Sequence, residues 1–149
     1  MSKELIQIAT TIATKAHEGQ KRFGGEPFIT HPLRVAEQFT TDKYKIVAIL
    51  HDVVEDSDIT LDDLKDSGFN DEIIEAIDHL THRDNETYLD YILRVSRNEI
   101  ATRIKLVDLG DNSRDSDSYK PPTSRKDKYQ LAGHILVTEN RGLPWEIRP

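Results

Sequence analysis

His51 and Asp52 stand side by side in the segment LHDVVED, at the end of an apolar run, and Glu55 and Asp56 follow one helical turn later. One imidazole and three carboxylates in so short a stretch can ligate a metal or move protons. They also repel one another unless a cation or basic residues stand among them. Adjacent residues on a helix point about 100° apart, whereas residues four apart lie nearly above one another. On one continuous helix, Glu55 is therefore expected above His51, and Asp56 above Asp52. A plainer reading is a solvated helix end with a core histidine, and the dipeptide alone does not decide. Two further residues add weight. His31 precedes Pro32 at the start of a predicted helix, where its ring can project into a cleft, and Asp108 interrupts the apolar run of RIKLVDLGDN. Lys21 and Arg22 bring positive charge to the loop before His31.

The elements that must position these groups follow from hydrophobic spacing. Leu5, Ile8, Ala9, Ile12, Ala13 and Ala16 predict a first amphipathic helix, and residues 19–30 (GQKRFGGEPFIT) predict a loop. Thr30 is the expected cap of a second helix starting around Pro32. Ile46, Val47, Ile49, Leu50, Val53 and Val54 predict a central third helix, apolar on more than one stripe. Thr60-Leu61-Asp62-Asp63 has the form of a capping box, with Gly68 as the stop, and Asn70 caps the next predicted helix. That helix carries Ile73, Ile74, Ile77 and Leu80, and the following one Tyr88, Leu89, Ile92, Leu93 and Val95. A further helix is expected from about Glu99 to Asn112, a Ser/Asp/Pro-rich loop over 113–124, and a last helix over about 125–138 before an irregular tail. No useful strand pattern is present. The expected fold is all-α, a single domain over residues 1–149.

Length and composition agree. A chain of 149 residues buries roughly two-thirds of its unfolded surface, enough for its own core. Hydrophobic residues make up 36% and charged residues 32%, there is no cysteine, and the net charge is −7. Thiolate zinc sites, disulfides and cysteine nucleophiles are excluded. No long Lys/Arg run provides the footprint of a nucleic-acid partner. No apolar run is long enough to span a membrane, and the first residues lack a signal peptide's apolar block, so a cytoplasmic location is expected. A phosphorylated substrate would need a metal and a local basic cluster against this acidic background.

Three blocks, HEGQKRFGGEPFITHPLRVAE, AILHDVVEDSDIT and RIKLVDLGDNSRD, resemble in order and spacing the signature of the HD-type alarmone hydrolases. These comprise the hydrolase domain of the Rel/Spo enzymes and the small stand-alone hydrolases, including metazoan SpoT homologue-like proteins. The resemblance runs from about Ala16 to about Asp115. It implies a helical HD-domain bundle and a divalent ion, typically Mn²⁺, held by His31, His51, Asp52 and Asp108. Two imidazoles and two carboxylates form a mixed N/O site that suits Mn, Fe, Zn or Ni better than Ca or Mg. By the same resemblance, Glu55 and Asp56 orient the attacking water and handle its proton. Arg22, Phe28, Asn112 and Arg114 are the implied substrate contacts. One position departs: the family usually has Arg-Lys where this chain has Arg22-Phe23, which removes a phosphate-facing charge.

The expected activity is release of the 3′-pyrophosphate from guanosine tetra- or pentaphosphate, giving GDP or GTP. No synthetase domain is expected within these 149 residues. Because of Phe23, another nucleotide substrate (a deoxynucleotide or NADPH) stays open, as does a catalytically silent nucleotide-binding module. His17 is expected in a packing or supporting role and Phe28 equally in core packing. His79 and His82 are expected as a surface pair and His134 as a structural residue. The sequence leaves Trp145 and the oligomeric state undecided.

Overall fold

Helix starts and stops written into the sequence recur as hydrogen bonds in the computed structural model, which describes residues 2–119 and 123–139 and, for 114–119 and 123–124, the backbone alone. Nine helices fill the described residues: α1 (Ser2–Ala16), α2 (Thr30–Glu37), α3 (Asp42–Leu50), α4 (Val53–Asp56), α5 (Leu61–Asp66), α6 (Asp71–Leu80), α7 (Tyr88–Val95), α8 (Glu99–Tyr119) and α9 (Thr123–Glu139). The Thr60 hydroxyl accepts from Asp63 N–H at 3.1 Å while Asp63 accepts from Thr60 N–H at 2.9 Å, the expected capping box of α5. Asn70 caps α6 through Ile73 N–H at 3.0 Å, and Gly68, at φ 105°, makes the left-handed turn between the two helices. Among the described residues there is no strand beyond an isolated bridge between Lys21 and Pro27. No described helix is long and apolar enough to cross a membrane.

The core gathers around α3, whose Ile46, Val47, Ala48, Ile49 and Leu50 are all buried. A helix apolar on every side must be wrapped; α1, α2, α6 and α8 do so, and α9 closes the bundle over α7 and α8. Ala132 and Leu136 are the buried contacts of α9.

Five expectations change. Thr30 is the first residue of α2 and not its cap. Ile29 holds the cap position, and the Thr30 hydroxyl turns back to Pro27 O at 2.8 Å. Ile8 lies off the inward stripe of α1 and is 39% exposed, whereas Ala9 and Ala13 are fully buried. The predicted loop after Asn112 is helical to Tyr119. Ser113 stays in the helix by bonding back to Leu109 O at 2.9 Å, and no helix-breaking residue precedes Pro121. The last helix likewise begins at Thr123, two residues before the expected start. Finally, the central helix is not continuous: it ends at Leu50 and resumes at Val53, with His51 and Asp52 in the break. Trp145 and the tail lie outside the described residues.

Candidate metal centre

The break between α3 and α4 exists where two neighbouring side chains must face one point, which a regular helix forbids. Asp52 leaves helical geometry at φ −104°, ψ −2°. The His51 ring folds back so that its Nδ1–H donates to Ala48 O at 2.5 Å, taking one of the carbonyls left over at the end of α3. His31 arrives from the first turn of α2, and Asp108 from the middle of α8. Asp108 Oδ1 lies 2.7 Å from His31 Nε2 and 3.1 Å from His51 Nε2; Asp52 Oδ2 lies 3.1 Å from His51 Nε2 and 3.6 Å from His31 Nε2. One ligand-capable atom from each of the four residues falls within 4.8 Å of the other three.

The hydrogen bonds behind the rings decide what the ring faces offer. His31 Nδ1–H donates to Asp111 Oδ2 at 2.6 Å, and Asp111 is held in a fork by Arg34, Nε to Oδ1 at 2.9 Å and an amino group to Oδ2 at 3.0 Å. Arg34 reaches on to Glu26 at 2.9 Å. Both imidazoles thus spend Nδ1–H on an outward acceptor and turn Nε2 inward, the arrangement of metal-ligating histidines. Behind Asp108, the Lys105 ammonium binds the other oxygen, Oδ2, at 2.9 Å.

Each inward Nε2 faces carboxylate oxygen, so it needs a proton or a cation between them. Burial lowers the pKa of both rings, but the carboxylates outweigh it: Asp108 and Asp111 raise His31, and Asp52 and Asp108 raise His51 well above the usual value. Burial pushes the Asp108 carboxyl up, while the Lys105 charge and the two rings hold it well below the carboxylate range. Asp111 follows the same balance, pulled down by His31 and Arg34 against its burial. The donor set fits a divalent ion: contacts of 2.7 to 3.1 Å between donor atoms match the roughly 3 Å between neighbouring ligands of an ion with bonds of about 2.1 Å.

Glu55 and Asp56 close the turn that starts at Asp52, beyond the break at His51: Asp56 N–H donates to Asp52 O at 3.0 Å, the expected spacing of four. They line an open cleft of about 500 Å³ with Val54, Thr81, His82, Arg83 and Asp84. Glu55 Oε1 accepts a short hydrogen bond from His82 N–H. Both carboxyls are accessible from the cleft yet walled by protein, and that desolvation, with the Asp52 charge, raises Glu55 to about 7 and Asp56 to about 6.

On the other flank, Arg22 donates to Asn112 Oδ1 at 3.0 Å and lies over the Phe28 ring at 5.6 Å. Phe28 is wedged between His17 and His31, with ring centroids at 4.6 and 5.8 Å. The backbone of Arg114 continues α8; its side chain lies outside the described atoms. His79 and His82 do not share a site: each caps a separate carbonyl, Glu75 O at 2.8 Å and Glu86 O at 2.7 Å. His134 is exposed on α9 rather than structural. Sequence reasoning missed Lys105, Asp111 and Arg34. The first two are three residues either side of Asp108 on one helix face, a signal available once Asp108 is singled out.

No family model matches the chain. Its sequence is similar to the guanosine-3′,5′-bis(diphosphate) 3′-pyrophosphohydrolases of Vibrio cholerae (30% identity, 83% of this chain, 19% of the relative) and Haemophilus influenzae (35%, 77% and 19%). It is also similar to the bifunctional (p)ppGpp synthase/hydrolase SpoT of Escherichia coli (33%, 81% and 19%). The chain thus spans about a fifth of the length of these relatives. A solved structure of a metazoan orthologue of SpoT, described as hydrolysing ppGpp, superposes with a TM-score of 0.79 at 23% identity, over 96% of this chain and 89% of that one. The shared fold is the all-α HD bundle.

Proposed function

Since the chain belongs to the HD-domain alarmone hydrolase family, we propose that it releases the 3′-pyrophosphate of guanosine tetra- or pentaphosphate. His31, His51, Asp52 and Asp108 hold a divalent ion, with Mn²⁺ as the first choice for this donor set. The observation that carries this reading is the convergence of two Nε2 atoms and two carboxylates, with both Nδ1–H groups locked outward. When bound, the ion polarises the phosphoryl group and acidifies a coordinated water.

The chain's own residues do the rest. Asp56, raised to about 6, is largely ionised at neutral pH and takes the proton of the attacking water. Water oxygen bonds to phosphorus, the bond from phosphorus to the 3′-oxygen breaks, and that oxygen takes a proton. Glu55, at about 7, is the acid available to supply it, steadied by His82 N–H. Arg22, braced by Phe28 and Asn112, offers a planar guanidinium to the guanine base. Arg114 is assigned a phosphate contact.

One observation favours a second reading, a different nucleotide. Phe23 replaces the expected lysine, is 66% exposed, and stacks with the Arg125 guanidinium at 4.7 Å. A panel of ppGpp, pppGpp, deoxynucleoside triphosphates and NADPH with Mn²⁺ separates the two. Pyrophosphate and GDP from ppGpp are expected; orthophosphate from the other nucleotides alone would sink the alarmone reading. Asp52→Ala should abolish both Mn²⁺ binding and turnover. Turnover surviving that change would overturn the mechanism, and a wild-type protein that neither binds nor responds to Mn²⁺ would be a silent module.

A further inference from the structure

Asp56 is the last residue of the one-turn helix α4, and the chain leaves it extended at Ser57, φ −148°. Its carbonyl has no helical donor. The donor comes from the loop after α1: Gln20 Nε2–H bonds Asp56 O at 2.8 Å, and the same amide bonds Ala16 O at 3.2 Å. Two carbonyl partners fix which end of the Gln20 amide is nitrogen. Its oxygen is thereby committed to His17, whose Nδ1 lies 2.9 Å away and must carry the proton. The Gln20 backbone is pinned as well, N–H to His17 O at 3.0 Å and C=O to Phe28 N–H at 2.9 Å. His17 is 2% exposed, and its ring feels the charges of Asp52, His51 and His31 while packing on Phe28. Burial, its largest influence, lowers its pKa against the Gln20 bond, so the ring is neutral with its lone pair on Nε2. That atom is buried without a hydrogen-bond partner in the protein.

We propose that His17 and Gln20 form a positioning couple. Gln20 clamps the Asp56 peptide onto the end of α1, and the His17 ring, by donating from Nδ1, keeps the Gln20 amide turned for that task. Glu55 is tied from the opposite side through His82 N–H, so the acidic pair is held between two anchors. The role assigned to Asp56 rests on the alarmone hydrolase reading; the couple itself does not.

The experiment pairs kinetics with a spectrum. Gln20→Glu keeps the size and the acceptor for His17 but removes both donors. With Mn²⁺ and ppGpp, kcat is expected to fall about 10- to 100-fold, with KM and calorimetric Mn²⁺ affinity within about twofold of wild type, on the view that this couple touches neither ligand nor substrate. His17→Asn retains a donor at the Nδ1 position and is expected to keep kcat within about threefold of wild type, whereas His17→Ala is not. Long-range ¹H–¹⁵N NMR of the wild-type imidazoles should show His17 as the Nδ1–H tautomer. A folded Gln20→Glu with unchanged kcat, a His17→Asn no better than His17→Ala, or an Nε2–H tautomer each overturns the proposal. Should Gln20→Glu not fold, the tautomer and the His17 variants decide. If the wild type releases no pyrophosphate from ppGpp, the functional reading fails alone. The couple is then judged by the tautomer and by kcat on whichever nucleotide the panel identifies.

Discussion

Asp108 divides its two oxygens between different tasks: Oδ1 faces both imidazoles and Oδ2 takes the Lys105 ammonium. Asp56 is the opposite case, a carboxyl whose surroundings raise it to about 6 and so make it a usable base near neutrality. In its proposed role as base it must be unprotonated, so kcat/KM is expected to fall as pH drops through about 6. Asp56→Asn should cost about 10²- to 10⁴-fold in kcat and leave Mn²⁺ affinity nearly intact. An unchanged acid limb in the residual activity of that variant would assign the limb to another group. Asp108 and the His51-Asp52 pair were legible because they interrupt or end apolar runs, and His31 because it precedes Pro32 at a predicted helix start. Lys105 was not, because its role follows only once Asp108 is singled out, and Asp111 and Gln20 were not, because their partners lie far along the chain. Gln20 and Asp56 are 36 positions apart, and no local pattern links them.

At the scale of elements, local signals read well where a side chain caps its own helix, as at Thr60 and Asn70, and poorly where the deciding contact comes from another element. The HD dipeptide was expected inside one helix because nothing in the residue types marks a break; the break follows from the need to aim two neighbours at one point. The end of α6 is a second example. Its carbonyls are finished by Arg94 of α7, which donates to Asp78 O at 3.0 Å, His79 O at 3.3 Å and Thr81 O at 2.7 Å while gripping Glu86 at 2.7 and 2.8 Å. This staple holds the segment 81–87, whose His82 N–H in turn holds Glu55. Arg94→Met leaves those carbonyls without their donor and is expected to destabilise the fold by about 3 kcal/mol. For a chain of this length that lowers Tm by roughly 6–12 °C, and it should lower kcat through Glu55. Urea unfolding and kinetics check both; a full loss of stability with unchanged kcat would separate the staple from Glu55. The Arg94 bonds also pull Glu86 down to about 2 from an ordinary 4.5. Its contribution is therefore complete above about pH 4.5 and lost as pH falls towards 2, so Glu86→Gln should flatten the acid limb of the stability curve.

For the molecule as a whole, the centre joins elements that are distant in sequence: α2, the break between α3 and α4, and α8 all deliver groups to one point. In a chain of net charge −7, a cation at that point relieves carboxylate repulsion and ties the three elements together. Binding to the folded state alone stabilises it by RT ln(1 + [L]/Kd), about 2.7 kcal/mol at a hundredfold excess over Kd. That corresponds to a rise in Tm of roughly 5–11 °C. Acid should oppose the effect, since protons compete for the two imidazoles and the carboxylates, so the Mn²⁺ shift is expected to shrink between pH 8 and pH 6. Calorimetric melts of chelator-treated protein, with and without Mn²⁺, measure it directly. Mg²⁺ and Ca²⁺ should give smaller shifts because two of the four donors are nitrogen. A Tm that ignores Mn²⁺, or that rises equally in Asp108→Ala, would mean that these four residues meet for structural reasons and hold no ion.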